Sequence, residues 1–212
     1  MAENVLELIK ESIIKGDAAK AKETVETAIK ENVPVDKILD GGLIAGMQVV
    51  GVKFKNNEFY VPEVLIAARA MNQSMVLLEP LIAQAGIKPL GKLAIGTVKG
   101  DLHDIGKNLV VMMWKGAGFE VDDLGIDVSS EGFIEAVKNG AKVIGLSALL
   151  TTTMVAMKGI IESLEKAGVR DQVKVVIGGA PVTQSYADEI GADGYSADAA
   201  SAVDTAKQLL NI

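Results

Sequence analysis

A chain of 212 residues with 49% hydrophobic content is long enough to bury a sizeable core, as one large domain or two modest ones, which excludes a disordered segment or a minimal scaffold. Its formal net charge of −7 and pI near 4.9 argue against broad electrostatic affinity for nucleic acid or anionic membranes, which rests on clustered Lys and Arg, so proteins or a cofactor are the expected partners. The absence of cysteine excludes disulfides, thiolate zinc sites and a cysteine nucleophile.

The start, Met1-Ala2-Glu3-Asn4, lacks the basic region and apolar core of a signal peptide. No run of about 18 apolar residues promises a membrane span, and a cytoplasmic location is expected. Up to about residue 85 the pattern is helical. Val5, Leu6, Ile9, Ile13 and Ile14 form one apolar stripe, and Ala21, Val25, Ala28 and Ile29 form another. Asp17 stands at an N-cap position before the second helix, and Pro34 and Asp36 punctuate the approach to a third, predicted over Lys37 to Lys53. The fourth is predicted to begin at Pro62 and to turn Val64, Leu65, Ala68, Met71, Met75 and Leu78 inward. These four pack as an antiparallel bundle, giving a helical domain over residues 1–88.

Ala85 to Gly91 has the Gly and Pro content of a connector, and after it short strand-like runs alternate with helix-length segments. Strands are predicted at Leu93 to Val98, Phe119 to Leu124, Val143 to Ala148, Val173 to Ile177 and Gly194 to Ser196. Helices are predicted at Gly106 to Lys115, Ser130 to Lys138, Thr153 to Lys166, Thr183 to Ile190 and Ala199 to Leu210. Five βα units imply a doubly wound, flavodoxin-like parallel sheet over residues 89–212, with strand order 2-1-3-4-5. The whole is therefore an α plus α/β chain. In that order the loops at Lys99 to Gly106, Ser147 to Thr153 and Gly178 to Pro181 converge on one edge, where open α/β sheets bind ligands.

The first of these loops holds the only histidine, His103, two residues after Asp101. A carboxylate at that spacing can meet one ring nitrogen while the other faces outward, the arrangement that orients a metal-ligating imidazole. A tetrahedral zinc site is disfavoured by the single histidine and absent cysteine, so a metal bound here must bring most of its own ligands. A histidine that only caps the helix is the plain alternative. Likewise, Gly178-Gly179 can mark a tight turn or admit a ligand to the backbone, and Thr151-Thr152-Thr153 can simply cap a helix. Neither a G-x-x-x-x-G-K-[ST] nor a G-x-G-x-x-G loop is present, which disfavours a phosphate-loop NTPase.

D-x-H-x-x-G at Asp101, His103 and Gly106, S-x-L at Ser147 and Leu149, and Gly178-Gly179 together resemble the cobalamin-binding signature of methionine synthase and of corrinoid proteins in anaerobic methyltransferase systems. The similarity extends through the helical half. It implies a cobalamin or related cobamide bound base-off, with His103 as the lower axial ligand of cobalt, Asp101 and Thr153 as its relay, and Asp104, Ile105 and Gly106 beside it. Thr153 stands where methionine synthase has a serine. The resemblance assigns Ser147, Leu149, Thr151, Gly178 and Gly179 to the nucleotide tail. Phe54 and Val61 align with the apolar pair that shields the upper face, the second being a leucine in methionine synthase. Phe59 and Tyr60 lie in the same loop, where packing at a helix entrance accounts for them equally well.

The implied function is a methyl carrier that cycles between Co(I) and methyl-Co(III), a subunit rather than a complete enzyme. Its implied partners are a substrate-specific methyltransferase, an acceptor methyltransferase dependent on tetrahydrofolate or a thiol, and a reductive activase, with self-association through the cap edge when the cofactor is absent. A cobalamin-responsive regulator and the cobalamin-binding subunit of a carbon-skeleton mutase are the alternatives. The first lacks an output domain here, and the second usually lacks the helical cap.

Overall fold

The apolar stripe of the first helix organises the N-terminal half. In a computed structural model that describes residues 2–212, α1 (Ala2–Lys15) buries Val5, Ile9 and Ile13 and packs against the second helix, the later part of the third and the fourth. Asp17 caps α2 (Ala18–Lys30) by accepting from Lys20 N at 2.9 Å, as its position predicts. The third helix runs from Val35 to Lys55, beyond both predicted ends. It comprises α3 (Val35–Lys37), a π-helical stretch (Ile38–Ile44) and α4 (Ala45–Lys55). Apolar spacing carries no signal for a π turn; what the structure adds is the use of its glycines. A Cβ on Gly42 would stand 2.9 Å from Ile9 Cγ2, and one on Gly46 2.7 Å from Ile13 Cβ, so α1 seats its isoleucines directly on glycine backbone.

Helix α5 (Val61–Ala85) starts one residue earlier than predicted, since Pro62, lacking an N–H, sits within a first turn whose donors have no intrahelical partner. Glu63 accepts from Tyr60 N at 2.9 Å and secures that start. Val64, Ala68, Met71 and Leu78 are buried and Met75 is half-buried, but Leu65 is exposed. The small residues Ala67, Ala70 and Ser74 occupy the packed face instead, which lets α5 lie close to its neighbours.

The second half is a five-stranded parallel sheet, β1 (Lys92–Thr97), β2 (Glu120–Asp123), β3 (Val143–Ser147), β4 (Lys174–Gly178) and β5 (Gly194–Ser196), in the order β2-β1-β3-β4-β5. The intervening helices are α6 (Ile105–Gly116), α7 (Ser130–Lys138), α8 (Thr151–Met154), α9 (Ala156–Lys166), α10 (Gln184–Ile190) and α11 (Ala199–Leu210). Period-two alternation sends Ala94, Ile144, Leu146, Val175 and Ile177 into one buried cluster with Phe133, Met157 and Ile160. The register row Ile95, Gly145 and Val176 lies on the other side, where a Cβ on Gly145 would meet Trp114 at 2.9 Å. The buried indole donates from Nε1 to Ala202 O at 2.9 Å, fixing α6 to α11.

Where one helix is predicted over Thr153 to Lys166, the chain forms α8 from Thr151 and then breaks at Val155 before α9. Tyr186 Oη donates to Met154 O at 3.0 Å and satisfies a carbonyl at the break. The chain divides into two compact units, residues up to Pro89 with Gly116–Gly118, and residues 90–115 with 119–212. No described helix is long and apolar enough to cross a membrane.

Candidate functional site

Sheet register brings the predicted loops together. Thr97 pairs with Ser147, Ser147 with Gly178, and Gly178 with Ser196, so β1, β3, β4 and β5 carry one level row at their carboxyl ends. The histidine loop springs from the first member of that row, the Ser147 to Thr153 loop from the second, and the double-glycine loop from the third.

Asp101 is the hub. Its side chain is fully buried, yet each carboxylate oxygen has two partners. Oδ1 accepts from His103 N at 3.0 Å and meets His103 Nδ1 at 2.8 Å; Oδ2 accepts from Leu149 N at 2.8 Å and Thr153 Oγ1 at 2.6 Å. Burial on its own pushes this carboxyl's pKa up, but the bonds from Thr153, the His103 and Leu149 amides and the His103 ring outweigh it and hold the group ionised, well below the usual carboxylate range. An ionised carboxylate only accepts, so Nδ1 of a neutral His103 carries the proton and Nε2 keeps its lone pair. The imidazole is half-exposed, and Nε2 has no hydrogen bond to any described residue. A single, outward, basic nitrogen in a fixed tautomer is what a metal ligand requires. Among the described residues no three His, Asp or Glu side chains gather as a metal site, so such a metal must arrive with its other ligands.

The threonines do not cap α8, whose N-cap is Leu150 with no side-chain bond. Thr153 is recruited to Asp101 instead, and its extra methyl does not prevent the 2.6 Å contact. Asp104 accepts from Asn108 Nδ2 at 3.1 Å at the start of α6. Gly106, in the first turn of that helix, has no atom within 4 Å of where a Cβ would stand and no positive φ. Protein packing gives no reason for a residue that costs a helix about 1 kcal/mol, so the open space suits a ligand lying close to the backbone. Ile105 and Leu149 are exposed beside it.

Gly179 has a reason of its own. Its φ is +126°, and a Cβ there would stand 1.8 Å from Ala148 O, so the glycine is what lets the loop after β4 close against the loop after β3. Gly179→Ala is expected to cost more than about 3 kcal/mol of folding stability, visible as a fall in thermal midpoint without any ligand. An unchanged midpoint would contradict that packing. Phe54 and Val61 belong to the helical unit, in the last turn of α4 and at the first position of α5, and both are half-buried.

Four features escape the sequence pattern. Thr97, fully buried at the end of β1, donates from Oγ1 to His103 O at 2.9 Å. Lys107 is almost completely buried, its ammonium bonded to Asp123 Oδ1 and Asn108 Oδ1, each at 2.6 Å; a lysine in an amphipathic helix gives no warning of this. Asp127 bonds the histidine loop from the far side of β1. Leu102 and Leu150 join Leu149 as exposed apolar residues on the two loops that Asp101 ties together, with Ile105 exposed at the start of α6, a concentration that single hydrophobic positions do not reveal.

A B12 binding domain model matches residues 91–204, and a second B12 binding domain model matches residues 5–79. The chain is 46% identical to dimethylamine corrinoid protein 3 of Methanosarcina acetivorans, covering 98% of each chain, and 42% identical to a corrinoid protein of Desulfitobacterium hafniense, covering 99% of each. Among solved structures it is similar to a chain of the methanol:cobalamin methyltransferase complex from Methanosarcina barkeri, with a TM-score of 0.87 at 28% identity, covering 98% of this chain and 80% of that one. The buried Asp101 holding an outward imidazole thus sits in a member of a known family: the chain belongs to the corrinoid proteins, with a B12-binding domain in each half.

Proposed function

We propose that this chain binds a cobamide base-off, with His103 as its lower nitrogen ligand, and carries methyl groups between a substrate-specific methyltransferase and an acceptor methyltransferase, with a reductive activase as a further partner. The observation that carries the proposal is the 2.8 Å contact of His103 Nδ1 with the buried Asp101 carboxylate, in a half-exposed ring whose Nε2 bonds to no described residue. A cobalt held there would supply the chemistry, as a centre able to accept and release a methyl group.

The chain's residues supply the setting. Asp101 orients the imidazole and stabilises positive charge on it, while Thr153 and the Leu149 amide hold Asp101 itself. Ile105, Gly106 and Leu149 offer an exposed, partly apolar surface. Ser147, Leu149, Thr151, Gly178 and Gly179 are assigned to the nucleotide tail, supported by the register row that joins Ser147 to Gly178, although Gly179 is also required by the fold. Phe54 and Val61 of the helical unit are assigned to shielding the upper face. The names of the dimethylamine and trimethylamine corrinoid proteins, at 44–46% identity, favour a methylamine-derived methyl group.

The test is anaerobic incubation of the purified protein with hydroxocobalamin, removal of unbound cofactor, and an absorption spectrum. Near-stoichiometric retained corrinoid is expected. A folded protein that retains none would contradict the proposal.

A further inference from the structure

The loop that carries His103 has no regular structure between Thr97 and Ile105, so its shape depends on individual bonds. Inside the site, the Asp101 carboxylate is gripped by the β3–α8 loop, as described. The backbone of the same residue is held separately. Asp101 N donates to Val98 O at 3.1 Å, and Asp101 O accepts from Asp127 N at 3.1 Å. Asp127 then reaches one residue further back, where its Oδ1 accepts from Gly100 N at 2.7 Å. One residue of the β2–α7 loop therefore holds the Lys99–Gly100 peptide through its N–H and the Asp101–Leu102 peptide through its C=O, on either side of the Asp101 N–H.

Two backbone features make this grip possible. Asp127 has φ +53°, a left-handed conformation that aspartate tolerates better than most residues and that directs its N–H and carboxylate to the same neighbouring loop. Gly100 has φ +84°, a turn that glycine makes without strain and that leads the chain from the N–H held by Asp127 into Asp101. The adjoining Val128 is anchored by donation from its N to Thr97 O at 2.9 Å, so the brace is tied back to β1 rather than floating on an exposed loop.

We propose that Asp127 is a positioning residue for His103. Through the backbone of Gly100 and Asp101 it sets the Asp101 carboxylate where Nδ1 must meet it, and so preselects the one imidazole tautomer that can ligate a metal. The relevance to cobalt rests on the function proposed above; the effect on the imidazole does not. Because Asp127 touches neither the ring nor the carboxylate of Asp101, its loss loosens the ligand pair without removing any of its members.

The sole histidine makes the test direct. Nitrogen-15 histidine-labelled protein without cofactor gives one imidazole, whose two nitrogen shifts report which nitrogen carries the proton. The wild type is expected to show a predominantly Nδ1-protonated ring with a small fraction of the other tautomer. Asp127→Gly keeps the left-handed backbone but loses the acceptor, and is expected to raise the minor tautomer about fivefold, the effect of losing one ordinary hydrogen bond. Asp127→Asn, which keeps an acceptor oxygen and tolerates the same φ, should restore the wild-type spectrum. A wild-type-like imidazole spectrum in Asp127→Gly would overturn the proposal, as would an Asp127→Asn protein as disordered at the ring as Asp127→Gly. Failure of the wild type to retain hydroxocobalamin would overturn the cobamide reading alone, because the imidazole spectrum is read without cofactor.

Discussion

Asp101→Ala is expected to destabilise the α/β unit by about 3–5 kcal/mol, among the largest losses any single substitution in this chain can cause. Alanine leaves the Leu149 and His103 amides without their acceptor at a fully buried position, and each unsatisfied buried donor costs about 1–3 kcal/mol, while the Thr153 hydroxyl falls back on Leu150 O at 3.0 Å. Chemical denaturation of the cofactor-free protein measures this directly; a loss below about 1 kcal/mol would mean that water or a rearranged loop replaces the carboxylate. Asp101→Asn separates stability from ligation. It preserves the volume and one acceptor oxygen, but its amide nitrogen must face some of the four donors that now converge on the carboxylate. When that nitrogen faces the ring, Nδ1 becomes the acceptor and Nε2 takes the proton, so the lone pair needed by a metal is lost. Ligand affinity at the metal is expected to fall about 10–100-fold even in the part of the population that remains folded.

His103→Ala should do the opposite. The imidazole is half-exposed and makes its one side-chain bond to Asp101, so folding stability is expected to fall by no more than about 1 kcal/mol while lower-face nitrogen ligation is abolished. Some cobamide should remain bound through its tail, because the residues assigned to the tail lie on the loops after β3 and β4 rather than on the histidine loop. Electron paramagnetic resonance of the Co(II) state in the loaded variant should show no nitrogen splitting from protein. A spectrum identical to that of the wild type would remove His103 from the lower face.

The architecture was legible because its signals are local and repeated. Five apolar runs spaced by helix-length segments specify strand count and parallel pairing, and right-handed crossovers leave little freedom in strand order. The site was legible where chemistry requires a particular residue type at fixed spacing, as with Asp101 and His103. What escaped was set by tertiary contact. Leu65 has the spacing of a buried residue yet is exposed, because Ala67, Ala70 and Ser74 allow closer packing on the adjoining face. The threonine run reads as a helix cap, but Thr153 is drawn to Asp101, 52 residues away in sequence, a bond that exists only once β1 and β3 lie side by side. Gly179 resembles an opening for a ligand, and it is also the only residue type that avoids Ala148 O. Asp127 belongs to the same class, since nothing near it in sequence announces the bond to Gly100.

One imidazole of this chain is proposed to ligate cobalt, and the absence of any second histidine allows an unambiguous measurement. Protein labelled with nitrogen-15 only at histidine, loaded with hydroxocobalamin and reduced to the Co(II) state, should give a paramagnetic resonance spectrum whose nitrogen splitting changes from the triplet of nitrogen-14 to the doublet of nitrogen-15. A triplet that survives labelling would show that the cofactor's own base still occupies the lower face, and would contradict the assignment of His103.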